Sequence, residues 1–354
     1  MDDAVHIIGA GLIGLSTADS LMDRGRRVVI WDRASAPGLG ASFLNSALLH
    51  PSQAAPWVIK GLNDDLDADA LDRLTREGME LSARSGERLA RRRRDLGLSG
   101  DARGLMQIFG TCAARDRRLE SYARHGVVAE ATSWIGHPAI DIPDDSVADA
   151  QEYTTVLAND LARRGAVFRM GRDVHLSRGA DGGVCLESGD FSGAFTSTRA
   201  QQVVVAAGHH TGALLGEIGL ESDVEAVSGH GLRFRKPDRL PPASVMHADS
   251  RSALTVLPDH VRISGGVGLS APGDLLPIWN AVAAELIAEL GQPVEEWTGH
   301  RPVTRSGRPL MGETPVPGLF VNAGHAHMGW TLSAGAGEVV AEAVTGAVPR
   351  QAVL

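Results

Sequence analysis

Three glycines near the amino end, in the run Ile7-Ile8-Gly9-Ala10-Gly11-Leu12-Ile13-Gly14, have the GxGxxG spacing of a strand-to-helix turn that wraps a pyrophosphate. Gly9 permits the tight turn, Gly11 lets backbone approach the phosphates, and Gly14 lets helix and strand pack closely. The helix N-terminus then offers unpaired N–H groups to anionic oxygens. Such spacing is weak alone. It gains force from Asp32, with Arg33 beside it, about twenty residues on, where a carboxylate can accept hydrogen bonds from ribose hydroxyls. The acid argues against a 2′-phosphate, and so against NADP, without separating FAD from NAD. The next segment, Gly40-Ala41-Ser42-Phe43-Leu44-Asn45-Ser46-Ala47-Leu48-Leu49-His50-Pro51 and then Ala55-Pro56-Trp57, is a long loop of mostly small residues. An NAD dehydrogenase has no need of it, but it suits a chain that wraps an extended flavin.

The elements that must hold this turn are legible on either side. Val5 to Ile8 reads as a strand, Leu15 to Met22 as a helix and Arg27 to Trp31 as a second strand after Gly25, a βαβ start. Leu71, Leu74, Gly78 and Leu81 share one helical face, and the run Arg91 to Arg94, between Glu87 and Asp95, reads as the solvated face of that helix. From Leu105 to about Pro143 the pattern is short and strand-like, and Thr154 to Arg164 is helical. A strand pair opens at Gly165-Ala166-Val167 and ends in the β-rich run Gln202 to Ala207; Val224 to Val267 is β-rich, and Pro277 to Leu290 is helical. The order predicts an α/β fold: a Rossmann-type, glutathione-reductase-like dinucleotide domain (1–84, 147–222 and 305–354) interrupted by a mixed-sheet α+β substrate domain (85–146 and 223–304).

Composition limits the function classes. A chain of 354 residues with 43% apolar content can bury a full core. The formal net charge is −9 and basic residues are scattered, which disfavours nucleic acid and anionic membranes as partners. Cys112 and Cys185 stand far apart without a CxxC or Cys/His cluster, so neither a disulfide framework nor a structural metal is expected. The histidines show no paired ligand spacing with carboxylate support, and no metal is expected from them. Asp2 and Asp3, and a first apolar stretch broken by glycines, do not read as a secretory signal. No run of about twenty apolar residues suggests a membrane span. The cytoplasm is the expected compartment.

The loop carrying Ser42 and Asn45, with Pro56-Trp57 after it, resembles the corresponding loop of D-amino acid dehydrogenase small subunits. The C-terminal run Gly299-His300-Arg301-Pro302-Val303-Thr304-Arg305-Ser306-Gly307-Arg308-Pro309-Leu310-Met311-Gly312, then Asn322-Ala323-Gly324-His325-Ala326-His327-Met328-Gly329-Trp330-Thr331, is similar to the closing segment of that family and of glycine oxidase. Val203 to Gly208 is similar to its VVVAAG strand. The chain thus resembles the FAD-dependent D-amino acid oxidase and glycine oxidase superfamily, in order, over roughly half its length by motif.

The resemblance implies FAD, a small amino acid or amine as substrate, hydride transfer from its α-carbon to flavin N5 and hydrolysis of the resulting imine. It implies that Arg301 holds the substrate carboxylate, a task for which the planar guanidinium fork is suited. It places His325, at the Gly-His step, and His50, after the loop, near the reacting centre. It assigns Ala41, Ser42, Asn45, Ser46, Ala47 and Leu48, the adenine-side Val174, Ala207, Gly208 and Gly324, and the helix-leading Gly329, Trp330, Thr331 and Leu332 to the flavin. Arg305 and Arg308 read as exposed. His209, His210 and His230 fall in segments that could border the pocket. His327 stands where glycine oxidase carries Arg, which removes a second carboxylate contact from that position. No Cys or His falls where relatives anchor flavin covalently, so a dissociable cofactor is expected. Oxygen or another electron acceptor, and a homo-oligomer, are compatible partners. Oxidation of a 2-hydroxy acid on the same scaffold, an NAD dehydrogenase and a non-catalytic flavoprotein stand as alternatives.

Overall fold

A computed structural model describes residues 2–43, 45–98, 102–179, 182–189, 195–238, 240, 243–347 and 352. Leu44 and residues 348–351, 353 and 354 of the expected 305–354 segment therefore lie outside the described residues. The amino end forms β1 (Asp2–Ile8), α1 (Leu12–Met22), β2 (Val28–Asp32) and the short β3 (Leu48–Leu49). There follow α2 (Ala68–Asp95), β4 (Ala102–Ile108), α3 (Cys112–Arg124), β5 (Glu130–Trp134), β6 (His137–Val147) and α4 (Ala150–Arg163). Next come β7 (Val167–Met170), β8 (Asp173–Arg178), β9 (Val184–Gly189), β10 (Phe195–Val205) and α5 (Thr211–Gly216). The chain continues through β11 (Val224–Arg235), β12 (Ser244–His247), β13 (Ser252–Val256), β14 (His260–Gly265) and α6 (Leu275–Leu290). It closes with β15 (Glu295–Thr304), β16 (Leu310–Glu313), β17 (Leu319–Ala323) and α7 (Gly329–Val344).

The strands form two sheets. One has the order β16-β17-β10-β1-β2-β7, with β1 parallel to both β10 and β2, and β8 and β9 extend it beside β10. The other runs β15-β11-β14-β13-β12-β4-β6-β3, with β5 on β6. Parallel strands buried on both faces explain the apolar run Val203 to Val205 and the buried run Val5 to Ile8, interrupted only by the buried His6. One face packs on α1, α4 and α7 through Leu15, Leu157 and Val340, and the other on Leu215 and Leu186. In the second sheet Phe234 and Ile263 pack on Trp279 and Ile287 of α6.

Two expectations are corrected. Residues 105–143 are not strands throughout, because α3 interrupts them. Thr111 caps it by accepting from Ala114 N, and Tyr122 is its one buried side chain, so its apolar period is faint. Nor is Arg91 to Arg94 a wholly solvated face: Arg91 and Arg94 are exposed, but Arg93 is buried and Arg92 turns inward. Asp19 of α1, only 2% exposed, accepts from Arg88 at 2.7 Å, Arg92 at 3.1 Å and Arg164 at 2.6 Å, and so ties α2 and the end of α4 to α1. Arg84 extends the tie to Glu338 of α7 at 2.9 Å.

Removing one partner of such a network leaves buried charge uncompensated. Asp19→Ala should therefore lower unfolding free energy by about 3 kcal/mol in chemical denaturation, well beyond the effect of Arg76→Ala, which breaks the exposed pair with Asp72. A second prediction concerns Asp145 of β6, which accepts from Ser52 N at 3.2 Å and Ser52 Oγ at 2.6 Å. Burial raises its carboxyl from 3.8 to about 7. The folded state thus favours the protonated acid, and this stabilisation, full below about pH 4, is lost as pH rises through 7. Asp145→Asn should flatten that part of the Tm-against-pH curve; an identical slope in the variant assigns it elsewhere.

Candidate active site

A cavity of about 760 Å³ is lined by both sheets. At the first sheet, the β1–α1 turn is closed by a backbone approach: a Cβ on Gly9, whose φ is +115°, would stand 2.2 Å from the Ala206 carbonyl oxygen. Gly14 is equally constrained, its Cβ falling 1.9 Å from the Gly9 oxygen. Gly11 differs. A Cβ there meets only Ser42 Oγ, at 3.4 Å, and otherwise enters the cavity. Gly11 is the N-cap of α1 and supplies no side-chain cap; Leu12 N donates to Ser42 Oγ at 3.1 Å. Asp32 accepts from Ala10 N at 2.7 Å and Ala34 N at 2.8 Å, which holds its carboxylate at the cavity wall. The Arg33 guanidinium donates to His210 Nε2 beside it.

The loop after β2 is gripped by the second sheet. Asn45 Oδ1 accepts from Ala47 N at 2.9 Å, and Arg262 of β14 donates to the Asn45 carbonyl at 3.4 Å and to Asp149 at 2.7 Å. Thr255 and Ser264 donate to the Ser46 carbonyl and hydroxyl at 2.8 and 3.1 Å. At the far side α7 begins at Met328 without a side-chain cap; Gly329 and Trp330 line the cavity, and Trp330 Nε1 is tied to the Ala148 carbonyl at 3.0 Å. Two helix N-termini whose own N-cap residues supply no side-chain cap, a glycine whose missing Cβ leaves space and an acid at the ribose position fit a dinucleotide such as FAD.

The other end carries cations without acids. Arg301 of β15 lies across Gly229 of β11, where a Cβ would stand 2.0 Å from its Nη1. Its Nη1 donates to the Ser228 carbonyl at 3.0 Å, and its guanidinium carbon is 5.6 Å from the Trp57 ring centre. Burial alone draws it down to about 10, and among the described residues no carboxylate pairs with it. Trp57 stacks on His327 at 4.2 Å, and His327 in turn on His50 at 6.0 Å; His327 Nε2 bonds the Gln53 carbonyl at 2.9 Å. Burial depresses His50 and His325 to about 4 and draws His327 well below its ordinary value, so all three are neutral near pH 7. Neither ring nitrogen of His325 finds a partner among the described residues.

Of the residues singled out by sequence, Gly9, Gly11, Leu12, Ile13, Asp32, Arg33, Ala41, Ser42, Asn45, Ser46, Ala47, Leu48, His50, Val174, Ala207, Gly208, Arg301, His325, Gly329 and Trp330 all line this one cavity. Ala10, Gly14, Gly324, Thr331 and Leu332 lie behind it. Ala10 serves Asp32, Gly14 packs on Gly9, Gly324 and Leu332 face a second cavity of about 500 Å³, and Thr331 Oγ1 accepts from His50 N. Arg305 and Arg308 pair with Glu225 and Glu77 away from the main cavity. His209, His210 and His230 do line it. Met246, Ser264 and Trp297, which reach the cavity through strand register, and Arg251 and Gln53, which reach it from a hairpin turn and a short 3-10 turn, sit in no motif.

The comparisons agree with this geometry. D-amino acid dehydrogenase of Xanthobacter autotrophicus is 29% identical, covering 98% of this chain and 96% of its own length. That of Methylobacterium nodulans is likewise 29% identical over 98% and 96%. Among solved structures, glycine oxidase from Geobacillus kaustophilus aligns with a TM-score of 0.79 at 24% identity, covering 97% of this chain and 94% of that one. Iminodiacetate oxidase from a Chelativorans species aligns at 0.78 with 22% identity, over 97% and 95%. Among the described residues no helix is long and apolar enough to cross a membrane, and no side-chain cluster could hold a metal ion. Residues 4–343 match the DAO family of FAD dependent oxidoreductases, and the chain belongs to that family.

Proposed function

We propose that Arg301 grips the carboxylate of a small amino acid or N-substituted glycine and that the chain oxidises the C–N bond held beside it. The observation that carries this is a buried guanidinium, seated in the Gly229 notch, with no acid partner among the described residues. FAD, when bound, supplies the hydride acceptor. The names of the relatives, D-amino acid dehydrogenase, glycine oxidase and iminodiacetate oxidase, support C–N over C–O oxidation. Trp57, stacked on His327, walls the site with an apolar face that excludes water. The neutral histidines add no cation to repel an amine and are weak bases, so the amine must arrive unprotonated. A dissociable cofactor follows from the motif resemblance, in which no Cys or His falls where relatives anchor flavin covalently; yellow colour kept by acid-denatured protein would overturn it. Cysteine usage supports the cytoplasm, and oxygen or another acceptor reoxidises the flavin.

The test is an anaerobic absorbance titration with glycine, sarcosine, paired amino acid enantiomers and 2-hydroxy acids. Bleaching by amines supports the reading; bleaching by hydroxy acids alone, or a colourless protein, overturns it. Arg301→Leu should raise KM about 100-fold with flavin still bound, and Gly229→Ala should raise it too by displacing the guanidinium. An unchanged KM removes Arg301 from the clamp. The pH profile of kcat/KM should rise with the substrate's own amine ionisation and show no inflection near 6.5 from His50 or His325. Gly11→Val should give folded protein without flavin, since its side chain enters only the cavity, whereas Gly9→Ala should also lose stability. Flavin retained by Gly11→Val would move the pyrophosphate elsewhere.

A further inference from the structure

Arg301 shares its end of the cavity with a second cation. Arg251 closes the turn between β12 and β13, is half-buried and lines the same cavity. Its backbone is left-handed, φ +51°, a conformation that strains a residue with a Cβ and that clusters at ligand clamps. The turn is pinned, since the Arg251 carbonyl accepts from Gly266 N at 3.2 Å and a Cβ on Gly265 would lie 2.4 Å from that oxygen. The strain therefore places this side chain.

The Arg251 guanidinium carbon is 5.3 Å from the Trp57 ring centre, against 5.6 Å for Arg301, so the two are no more than about 11 Å apart. Its Nη2 donates to the Val58 carbonyl at 2.9 Å, and among the described residues no carboxylate pairs with it. The acids lining the cavity, Asp32, Asp173 and Glu217, belong to the β2 and β8 end. The histidines beside Trp57 are neutral. A buried guanidinium and a half-buried one lining the same cavity, the second also repelled by Arg118, with no cavity-lining acid at that end among the described residues, favour anionic charge from the ligand. With charge-assisted hydrogen bonds about 2.8 Å long at each fork, this span suits a short dicarboxylate.

We propose that Arg251 binds a second carboxylate of the substrate, so that the site selects an amino acid or N-substituted glycine with two carboxylates over its neutral isostere. The inference rests on Arg301 taking the first carboxylate. It is tested on the FAD-loaded protein in two ways. Binding of the unreactive acids glutarate and valerate is read from the perturbed flavin spectrum. Anaerobic bleaching is compared for D-glutamate against D-glutamine and for iminodiacetate against sarcosine. Wild type should favour the diacid of each pair about 10- to 100-fold, and Arg251→Gln should bring glutarate affinity down to that of valerate. Arg251→Asn, whose side chain tolerates left-handed backbone, gives a second reading should the first variant fold poorly. Equal affinity for glutarate and valerate in wild type, or a preference that survives both variants, overturns the role of Arg251 while amine bleaching upholds the C–N reading. A glutarate preference that needs Arg251, in a protein no amine bleaches, supports the second subsite and overturns the amine reading instead.

Discussion

Helix α7 meets α1 backbone to backbone. At Gly337 a Cβ would stand 2.5 Å from the Ser16 carbonyl oxygen, and on the opposite side Gly335 would meet the Leu81 oxygen of α2 at 2.9 Å. Gly14 brings α1 as close to the β1 turn. Asn322 of β17 adds a lock by donating to Thr17 Oγ1 at 2.9 Å. With no side chain between them, the helices have almost no freedom to slide, because interiors are packed at crystal-like density. Their N-termini, at Gly11 and Gly329, open on the same cavity, so the positions of two partial positive charges are set by glycines, Gly14, Gly335 and Gly337, that do not line it. The anion cradle is in this sense a packing consequence.

That arrangement places a cost on α1, which carries the buried acid Asp19 into the same helix layer. The arginines of α2 and α4 offset it, with Arg88, Arg92 and Arg164 converging on one carboxylate. A run of arginines with acidic sequence neighbours looks solvated when read along the chain, since its partners Asp19 and Asp160 are remote in sequence. Periodicity cannot see such pairs.

The same distinction governs what the sequence disclosed of the site. The glycine turn and Asp32 were legible because each residue type answers a local mechanical demand, a close approach or an acceptor at a strand end. Arg301 was legible through its motif context. Arg251 and Gln53 were not, although they line the same space, because the hairpin turn of Arg251 acquires meaning only when β12–β14 come into register and Gln53 only when α3 brings Tyr122 against it. Helix α3 escaped for a related reason: with one buried side chain it carries little apolar period, and only Thr111 as cap and its run of helix formers signal it.

The two ends of the cavity divide the electrostatic labour along the two sheets. The first sheet supplies helix termini and the acids Asp32, Asp173 and Glu217, a mixture that suits a ligand bearing both phosphates and hydroxyls. The second supplies Arg251 and Arg301 with neutral histidines beside them, which suits anionic groups and a neutral amine. Arg262, 1% exposed and donating to both Asn45 and Asp149, fastens the cofactor loop to the sheet that carries the cations. The spacing between the 42–48 loop and Arg301 is therefore set by buried contacts of the second sheet with the loop, whereas the positive charge of that end comes from side chains at a turn and a strand crossing. If Arg301 and Arg251 hold the substrate as proposed, changes at Gly229 or in the 248–251 turn should alter which acid is held and leave the Gly9–Gly14 turn intact, since among the described residues the close approaches at Gly9, Gly11 and Gly14 come from Ala206, Ala207, Ser42, Gly9 and Ile7.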